Sequence, residues 1–463
     1  MFNAETYKKR RDWLKTDFQS GLLLFLGNEE TPMNYPANVY PFRQDSSFLY
    51  YWGLDLPGLC AVIDVEAERE IIFGDDPDLD DIVWTGPQPS VAENAARVGV
   101  WQTLPKKELG KLLRKTIQTG RSIHFLPQYR AENKIFLGEL LGIQPDFVNM
   151  YASPRLTKAV IAQRSVKEKA EIAEIEKALK ITRAMHLQAL HLTRPGLFER
   201  EIAGTVEGVA LSQGGRVSFP IIFSVHGETL HNEYHGNKME EGDLVVHDAG
   251  AEAPSHYAGD ITRSFPVSGQ FSLRQKEIYQ IVLKTQLAAI EAVRPGFPYR
   301  DVHLLASRVL ASGLKELGLM KGDVNEAVAE GAHALFFPHG LGHMLGLDVH
   351  DMEGLGEDWV GYDDEIQRSD QFGLAYLRLG KRLRPGFVLT VEPGIYFIPQ
   401  LIDRWKAARK FTDFIDYAEV EKFRDFGGIR IEDDVLVTEE GHRVLGDPIP
   451  KTVKEIEIVM ANR

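Results

Sequence analysis

Three histidines lie in one short glycine-rich window of the sequence, LFFPHGLGHMLGLDVHD, at residues 335–351. His339 and His343 are four residues apart, the spacing at which the two histidines of a helical HExxH motif bind zinc. That motif needs a glutamate where this sequence has Gly340, and the glycines of the window would destabilise a helix. We therefore predict a loop or a strand edge here, and the spacing alone does not assign roles to His339, His343 and His350.

Carboxylates form a second group that could hold a cation. GDLVVHDAG and GFVLTVEPG repeat one pattern, in which Asp248 and Glu392 take equivalent positions. Each half has a further acid in a strand-like run, Asp260 in AGDITRSFPV and Glu432 in GIRIEDDVLVT. These acids could each end a strand in water, but a carboxylate buried alone is strongly disfavoured, so their duplicated spacing favours a shared cation site. Oxygen ligands with one imidazole suit Mn, Co, Fe or Zn in a two-metal centre.

The elements that would position these acids are repeated as well. LQALHLTRPGLFEREIAGTVEGVALSQG and LAAIEAVRPGFPYRDVHLLASRVLASG both predict a helix, an Arg-Pro-Gly turn and a second helix. Strand alternation would turn Asp248 inwards while His247 points away. Upstream, the pattern from Ser165 to Glu168 predicts a capping box that starts a long helix. We interpret the repeat as an internal duplication; the alternative is two unrelated helix pairs of similar style.

The N-terminal region has a different pattern. Short apolar runs (SGLLLFLG, GLCAVIDV, EREIIFG and RSIHFLP) alternate with polar stretches that favour helices. This alternation predicts a separate α/β domain. The 463 residues are long enough for two or more domains, and we divide them into residues 1–155 and 156–463.

Composition argues against several classes of function. The formal net charge of -14 and the absence of a Lys/Arg-dense tract argue against nucleic acid as a partner. A single cysteine, Cys60, excludes an internal disulfide framework and fits a reducing compartment. The sequence has neither a signal-peptide pattern at its N-terminus nor an uncharged apolar run of about 18 residues. We therefore predict a cytoplasmic protein that does not span a membrane.

Five separated motifs, in order, resemble those of the aminopeptidase P and prolidase family, relatives of methionine aminopeptidase: HDAG, GDITRSF, PHGLGHMLGLDVHD, TVEPGIYF and RIEDD. YPFRQDSSFLYYWGL extends the resemblance into the N-terminal region, so that it covers nearly the whole chain. The resemblance implies an aminopeptidase P-like α/β N-terminal domain plus an α+β pita-bread catalytic domain with an internal pseudo-twofold duplication.

The resemblance also implies a set of metal ligands. Members of the family hold two divalent metal ions, often manganese, and Co, Zn or Fe are alternatives. The implied ligands are Asp248, Asp260, His343, Glu392 and Glu432, and Asp260 and Glu432 would contact both ions. One departure is the spacing of twelve between the two aspartates, one more than the family pattern, which an extra residue in EAPSHYAG would absorb.

Further roles follow from the same resemblance. Two cations would lower the pKa of a bridging water and supply hydroxide, and they would polarise the scissile carbonyl. Glu392 would take the proton from the water and pass it to the proline nitrogen, while His231 and His350 would donate to the developing oxyanion. Arg430 resembles the arginine that orients the site. His339 is a nearby substrate-side support whose role stays open.

The length of the substrate separates the competing functions. We expect a metallo-exopeptidase, first an Xaa-Pro aminopeptidase that trims peptides with proline in the second position. The alternative is a prolidase restricted to Xaa-Pro dipeptides, because Arg378 resembles the prolidase arginine that holds the dipeptide carboxylate; it could equally be a surface arginine. A third interpretation is a metal-free creatinase-like relative or a binding module. Relatives are commonly dimers or tetramers, so we expect a homo-oligomer.

Overall fold

The structure is a computed structural model that describes residues 2–462, and the chain divides into two compact units. The first unit comprises the residues up to Arg164 together with Glu353–Gly356. The second unit comprises Ser165–Met352 and the residues from Glu357 onwards. Among the residues described, no helix has both the length and the apolar character needed to cross a membrane.

The first unit is built on a mixed five-stranded sheet. Its strands and a small hairpin are β1 (Leu22–Leu26), β2 (Pro32–Tyr35), β3 (Asn38–Val39), β4 (Cys60–Asp64), β5 (Arg69–Phe73), β6 (Gln102–Leu104) and β7 (Ile123–Phe125). The sheet order is β6-β5-β4-β1-β7, antiparallel in the centre and parallel at both edges. All four runs predicted as strands are strands, and β1 and β4 are buried along their whole length because they lie inside the sheet.

Seven α-helices and one 3-10 helix, Pro145–Tyr151, accompany this sheet among the residues that the structure describes. The α-helices are α1 (Ala4–Thr16), α2 (Ser46–Trp52), α3 (Leu79–Thr85), α4 (Val91–Arg97), α5 (Glu108–Gln118), α6 (Ala131–Leu141) and α7 (Pro154–Ser165). Leu109 and Leu113 of α5 and Leu137 of α6 pack against the apolar strand residues in one core. The predicted α/β character of this region is confirmed.

The second unit contains two three-stranded sheets among its strands, β12-β10-β9 and β13-β16-β17. The strands are β8 (Arg216–Val217), β9 (Ile222–Ser224), β10 (Leu244–Ala249), β11 (Ala251–Glu252), β12 (Ile261–Pro266), β13 (Val388–Val391), β14 (Gly394–Tyr396), β15 (Gly428–Arg430), β16 (Asp433–Val437) and β17 (His442–Val444). The helices are α8 (Lys169–Leu192), α9 (Glu199–Ser212), α10 (Leu273–Ala292), α11 (Tyr299–Glu316), α12 (Val324–Glu330), α13 (Glu357–Gly361), α14 (Pro399–Ala407), α15 (Tyr417–Glu421) and α16 (Val453–Ala461).

The two halves of the second unit repeat the same backbone scheme. In each half a helix, an Arg-Pro-Gly turn and a second helix precede the strand that leads to an acid, and the turn hydrogen-bonds to the segment before that strand. The matching pairs are Gly196 N to Met239 O and Gly296 N to Leu383 O, and Met239 N to Leu197 O and Leu383 N to Phe297 O, all between 2.8 and 3.0 Å. The predicted internal duplication is thereby confirmed.

The start of α8 differs from the prediction. The capping box predicted at Ser165 is wrong, because Ser165 is the last residue of α7 and Glu168 is the N-cap of α8. Between them Lys167 is held by contacts distant in sequence: its amide donates to Gly386 O, and its ammonium lies 2.7 Å from the buried Asp351 carboxylate. These contacts override the local capping pattern.

Candidate metal centre and substrate cavity

The first half of the second unit contributes two buried aspartates. Asp248 is on β10 and pairs with Thr262 of β12, and Asp260 immediately precedes β12. Strand alternation turns His247 to the opposite face, where its ring lies 4.3 Å from that of His186. The predicted inward orientation of Asp248 therefore holds.

The second half contributes Glu392, which follows β13, and Glu432, which lies between β15 and β16. His343 joins them from a non-helical segment, as predicted. Its backbone is tied to β13 by hydrogen bonds from His343 N to Thr390 Oγ1 and from Thr390 N to His343 O, 3.2 and 3.0 Å long. A Cβ atom at Gly342 would lie 2.1 Å from Thr390 O, so only glycine allows this close approach.

Ligand atoms from both halves meet around His343. One ligand atom each from Asp260, His343 and Glu432 lie within 4.8 Å of one another. His343 Nε2 is 3.4 Å from Asp260 Oδ2 and 3.7 Å from Glu392 Oε1. His343 Nδ1 lies 3.0 Å from Met344 O, and since a carbonyl only accepts, Nδ1 carries the hydrogen. Nε2 therefore faces the acids and, once deprotonated, would offer its lone pair to a cation, the arrangement that a metal-binding imidazole requires.

Three carboxylate oxygens of this group are buried and have no hydrogen-bond partner among the described residues: Asp248 Oδ1, Asp260 Oδ1 and Glu432 Oε1. A buried carboxylate oxygen without a partner is costly. All three belong to predicted ligands, and hard divalent cations prefer oxygen donors of this kind. The donor set therefore fits divalent metal ions.

The pKa values of the group shift in one direction. Burial, reinforced by the neighbouring carboxylates, raises the pKa of Glu392 to about 7 and raises those of Asp260 and Glu432 as well. Burial opposes protonation of His343, but Asp260 and Glu392 outweigh it and raise the pKa of the imidazole to about 9. The cluster thus attracts positive charge, which a divalent cation would supply in place of protons.

Arg430 connects acids of both halves. Its Nη2 donates to Asp248 Oδ2 over 2.6 Å, and its Nε donates to Thr262 Oγ1 over 3.1 Å. The Thr262 hydroxyl then donates to Glu432 Oε2 over 2.7 Å. Arg430 is 4% exposed and fully engaged, so it orients the acids rather than meeting solvent.

Tyr396, which the sequence reasoning missed, completes this network. Its hydroxyl accepts from Arg430 Nη1 and lies 2.9 Å from His339 Nε2. His339 Nδ1 donates to Gly340 O, so Nε2 accepts the tyrosine proton. Burial, with Arg430 nearby, lowers the pKa of His339 to about 3. The imidazole therefore stays neutral and supports the site through hydrogen bonds.

A cavity of about 780 Å³ contains all ten predicted site residues in its lining. They are His231, Asp248, Asp260, His339, His343, His350, Arg378, Glu392, Arg430 and Glu432. The His350 ring lies 4.0 Å from the His343 ring, next to the acids, whereas His231 is exposed. Arg378 Nη1 donates to Glu357 Oε2 over 3.2 Å and is partly exposed.

Apolar side chains form much of the remaining wall, and no sequence pattern predicted most of them. They include Phe219, Val349, Phe372, Tyr376, Ile398 and Leu401. Leu401 and Arg404 belong to α14, and Phe372 packs against Trp405 of the same helix with ring centroids 5.7 Å apart. The acids thus line one part of the cavity, and apolar side chains that could pack against an apolar ring line much of the rest.

Comparison with known protein families gives two matches that together span most of the chain. Residues 173–439 match metallopeptidase family M24, and residues 7–144 match the aminopeptidase P N-terminal domain. Two similar proteins are the Xaa-Pro aminopeptidase of Escherichia coli, 33% identical with 99% of this chain and 98% of the relative covered, and the human Xaa-Pro dipeptidase, 33% identical with 96% and 89% covered.

Solved structures agree in fold. Pseudomonas aeruginosa aminopeptidase PepP has a TM-score of 0.82 at 28% identity, with 100% of this chain and 98% of that chain covered. Zinc-substituted E. coli aminopeptidase P in complex with product has a TM-score of 0.81 at 31% identity, with 100% and 99% covered.

Proposed function

The chain belongs to metallopeptidase family M24 and is a metallo-exopeptidase, and we propose that it is an Xaa-Pro aminopeptidase. It would hydrolyse the bond between an N-terminal residue and a following proline. The observation that carries the proposal is the convergence of five metal-ligand candidates from two duplicated halves in one cavity. The N-terminal match and the E. coli relative, an Xaa-Pro aminopeptidase aligned over nearly its whole length, support the choice of substrate.

Two divalent metal ions, manganese first, would be held by Asp248, Asp260, His343, Glu392 and Glu432. When bound, such ions polarise a peptide carbonyl and make water acidic enough to supply a nucleophile at neutral pH. The three buried carboxylate oxygens without partners support this ligand set. They also weigh against a metal-free relative or a binding module, in which these buried carboxylates would have to be protonated or left without a partner.

Within this arrangement Glu392 would move the proton. Its carboxylate would accept the proton of the attacking water and deliver it to the proline nitrogen as the bond breaks. The Thr390 hydroxyl, 3.4 Å from Glu392 Oε1, and His339 Nδ1, 3.9 Å from Glu392 Oε2, flank the two oxygens. These neighbours would keep the carboxylate oriented towards the cavity.

His350 and His231 would stabilise the oxyanion, since both line the cavity outside the ligand set. Arg430 would orient Asp248 directly and Glu432 through Thr262. Proline has no N–H to donate, so its recognition relies on shape, which the apolar wall would provide. The free amine of the substrate would lie near the acids and would restrict cleavage to the first bond.

A prolidase that accepts only dipeptides is the second candidate. The human Xaa-Pro dipeptidase is as similar to this chain as the E. coli enzyme, and Arg378 lines the cavity, where it could hold the carboxylate of a dipeptide. Comparing hydrolysis of Gly-Pro with that of Gly-Pro-Gly-Gly separates the two functions. We expect release of glycine from the tetrapeptide; activity on Gly-Pro alone would establish the prolidase.

The native metal, a homo-oligomeric state and a cytoplasmic location stay predictions. Membership of family M24 implies divalent metal ions. Manganese is implied only by the resemblance of the sequence motifs to those of aminopeptidase P and prolidase. Metal analysis of the purified protein and its mass in solution would test the first two.

A further inference from the structure

Glu199 is a charged residue that the mechanism does not use, yet it is completely buried. It is the first residue of α9, three residues after Gly196, which ends the Arg-Pro-Gly turn. A carboxylate at 0% exposure needs strong compensation, because its hydration is lost. The partners that provide this compensation indicate what the residue does.

The Glu199 carboxylate connects the two ends of one chain segment. Oε1 accepts from Val225 N over 2.9 Å, at the point where β9 ends. Oε2 accepts from Asn237 N over 3.0 Å, and Asn237 Nδ2 lies 3.2 and 3.0 Å from the two oxygens. The backbone adds a hydrogen bond from Glu199 N to Asn237 O, 3.0 Å long. The Glu199 side chain therefore connects the two ends of residues 225–237, which we call the His231 segment.

The His231 segment has no apolar core of its own, because Gly227 is its single buried residue. Gly227 lies close to Gly428, and Arg200 N donates to His235 O over 3.0 Å. Polar contacts also connect the segment to β9 and the residue before it, from Asn232 Nδ2 to Ser224 Oγ at 2.9 Å and between His235 Nε2 and Ile221 O at 2.9 Å. Hydrogen bonds to a charged group are stronger than those between neutral groups, and Glu199 makes them at both ends of the segment. His231 and Glu233 of this segment line the cavity.

We infer that Glu199 is a positioning residue: its buried carboxylate fixes both ends of the His231 segment and thereby holds His231 where the substrate binds. This role rests on the proposed function, because it assigns His231 to the reaction. A carboxylate suits the role because its two oxygens can accept all these N–H groups at once. Glutamine offers a single acceptor oxygen, and its NH2 group would face another N–H.

The test is a double-mutant cycle of Glu199→Gln with His231→Ala, measured as hydrolysis of Gly-Pro-Gly-Gly by the manganese-loaded enzyme. We expect Glu199→Gln alone to lower kcat by roughly 10- to 100-fold, the effect of a displaced catalytic group. Metal content should equal that of the unchanged protein. In the His231→Ala background the same change should lower kcat by less than about twofold, because the group it positions is gone.

Two further variants control the interpretation. Glu201→Gln changes the same acid on the same helix turn. Among the described residues Glu201 accepts from the nearby Phe198 N and contacts neither end of the His231 segment, so this variant should leave kcat unchanged. Asn237→Ala keeps the buried carboxylate and removes only the side-chain donor. It should give a smaller loss of the same kind if Glu199→Gln does not fold.

Amide hydrogen exchange of residues 226–236 separates the inference from the proposed function. Faster exchange in Glu199→Gln than in Glu201→Gln, together with the non-additive kinetics, supports the positioning role. Equal losses from Glu199→Gln with and without His231 would overturn it, as would unchanged exchange. If His231→Ala kept full activity while exchange still increased, the role of His231 in the reaction would be rejected, and the positioning role with it.

Discussion

Glu199 and Tyr299 take equivalent places in the two halves of the second unit, each at the first residue of the helix that follows an Arg-Pro-Gly turn. Both are 0% exposed. Glu199 accepts N–H groups from the ends of an exposed segment, whereas the Tyr299 hydroxyl donates to Thr390 O over 2.6 Å, inside the sheet that leads to Glu392. In both halves this buried position thus holds the backbone of a later part of the chain, through a carboxylate that accepts in the first half and a hydroxyl that donates in the second.

The two halves of the second unit also differ in the burial of their histidines, whereas each contributes two acids. Asp248, Asp260 and Glu432 are all less than 10% exposed, and the Glu392 side chain is 18% exposed, so each half contributes two carboxylates that are buried or nearly so. His343 is 3% exposed, whereas His231 is an exposed residue of the first half. The duplication therefore yields a symmetric set of acids and an asymmetric set of imidazoles.

The largest effect should come from removing an acid from either half. We expect Asp260→Ala and Glu432→Ala each to lower metal content and to reduce activity by about 1000-fold or more, because the ions supply several kcal/mol of transition-state stabilisation. Metal analysis and turnover measure both effects, with the exposed Glu440→Ala as the control. Loss of metal from only one of the two variants would break the symmetry of the acids.

Removing His343 and removing His350 should have different effects, because the two histidines have different proposed roles. His343→Ala should release metal, whereas His350→Ala should keep it and lower kcat by roughly 100- to 1000-fold, as removal of an oxyanion donor does. The two rings are 4.0 Å apart, so proximity alone does not explain such a split. Loss of metal from His350→Ala would mean that it belongs to the ligand set.

Metal affinity should depend on pH because two residues of the second half, Glu392 and His343, bind protons that compete with the metal. In the metal-free protein, Glu392 with a pKa of about 7 and His343 with a pKa of about 9 hold protons below those values, and a cation must displace them. Affinity should therefore rise with pH, by at least about 100-fold from pH 6 to pH 8, since each displaced proton contributes tenfold per pH unit.

Manganese titrations at a series of pH values measure this dependence. Glu392→Gln should flatten it below pH 7, because one of the displaced protons is removed. An affinity that does not change with pH would contradict the raised pKa values of the cluster.

The smallest effect should be on substrate length. Arg378→Ala should raise the KM for Gly-Pro by about tenfold if Arg378 holds the dipeptide carboxylate, since a charged hydrogen bond contributes roughly 1.5 kcal/mol. The KM for Gly-Pro-Gly-Gly should stay within about twofold. Arg382→Ala, which removes an exposed arginine paired with Glu365, is the matched control. Equal changes for both peptides would make Arg378 a general wall residue.

The sequence predicted the acids and their scaffold because duplication leaves a repeated spacing that can be read in one chain. Asp248 follows Gly242 at the same distance as Glu392 follows Gly386, and each half has its own Arg-Pro-Gly turn. The alternation of side chains along a strand also predicted the orientation of Asp248. These are local regularities, and the fold preserves them.

The contacts that the sequence did not predict connect residues far apart in the chain. Thr262 reaches Glu432 and Tyr396 reaches Arg430 only after the sheets have formed. The capping box at Ser165 failed for the same reason, because Lys167 pairs with Asp351. A single sequence has no periodicity that reports such side-chain pairs.

Metal removal tests the central claim most directly, namely that acids of both halves form one centre for two divalent ions. The purified protein would be stripped with EDTA, and manganese would be titrated back while glycine release from Gly-Pro-Gly-Gly is measured. We expect activity to disappear with the metal and to return as two equivalents of manganese bind each chain. Full activity after complete metal removal would contradict the account.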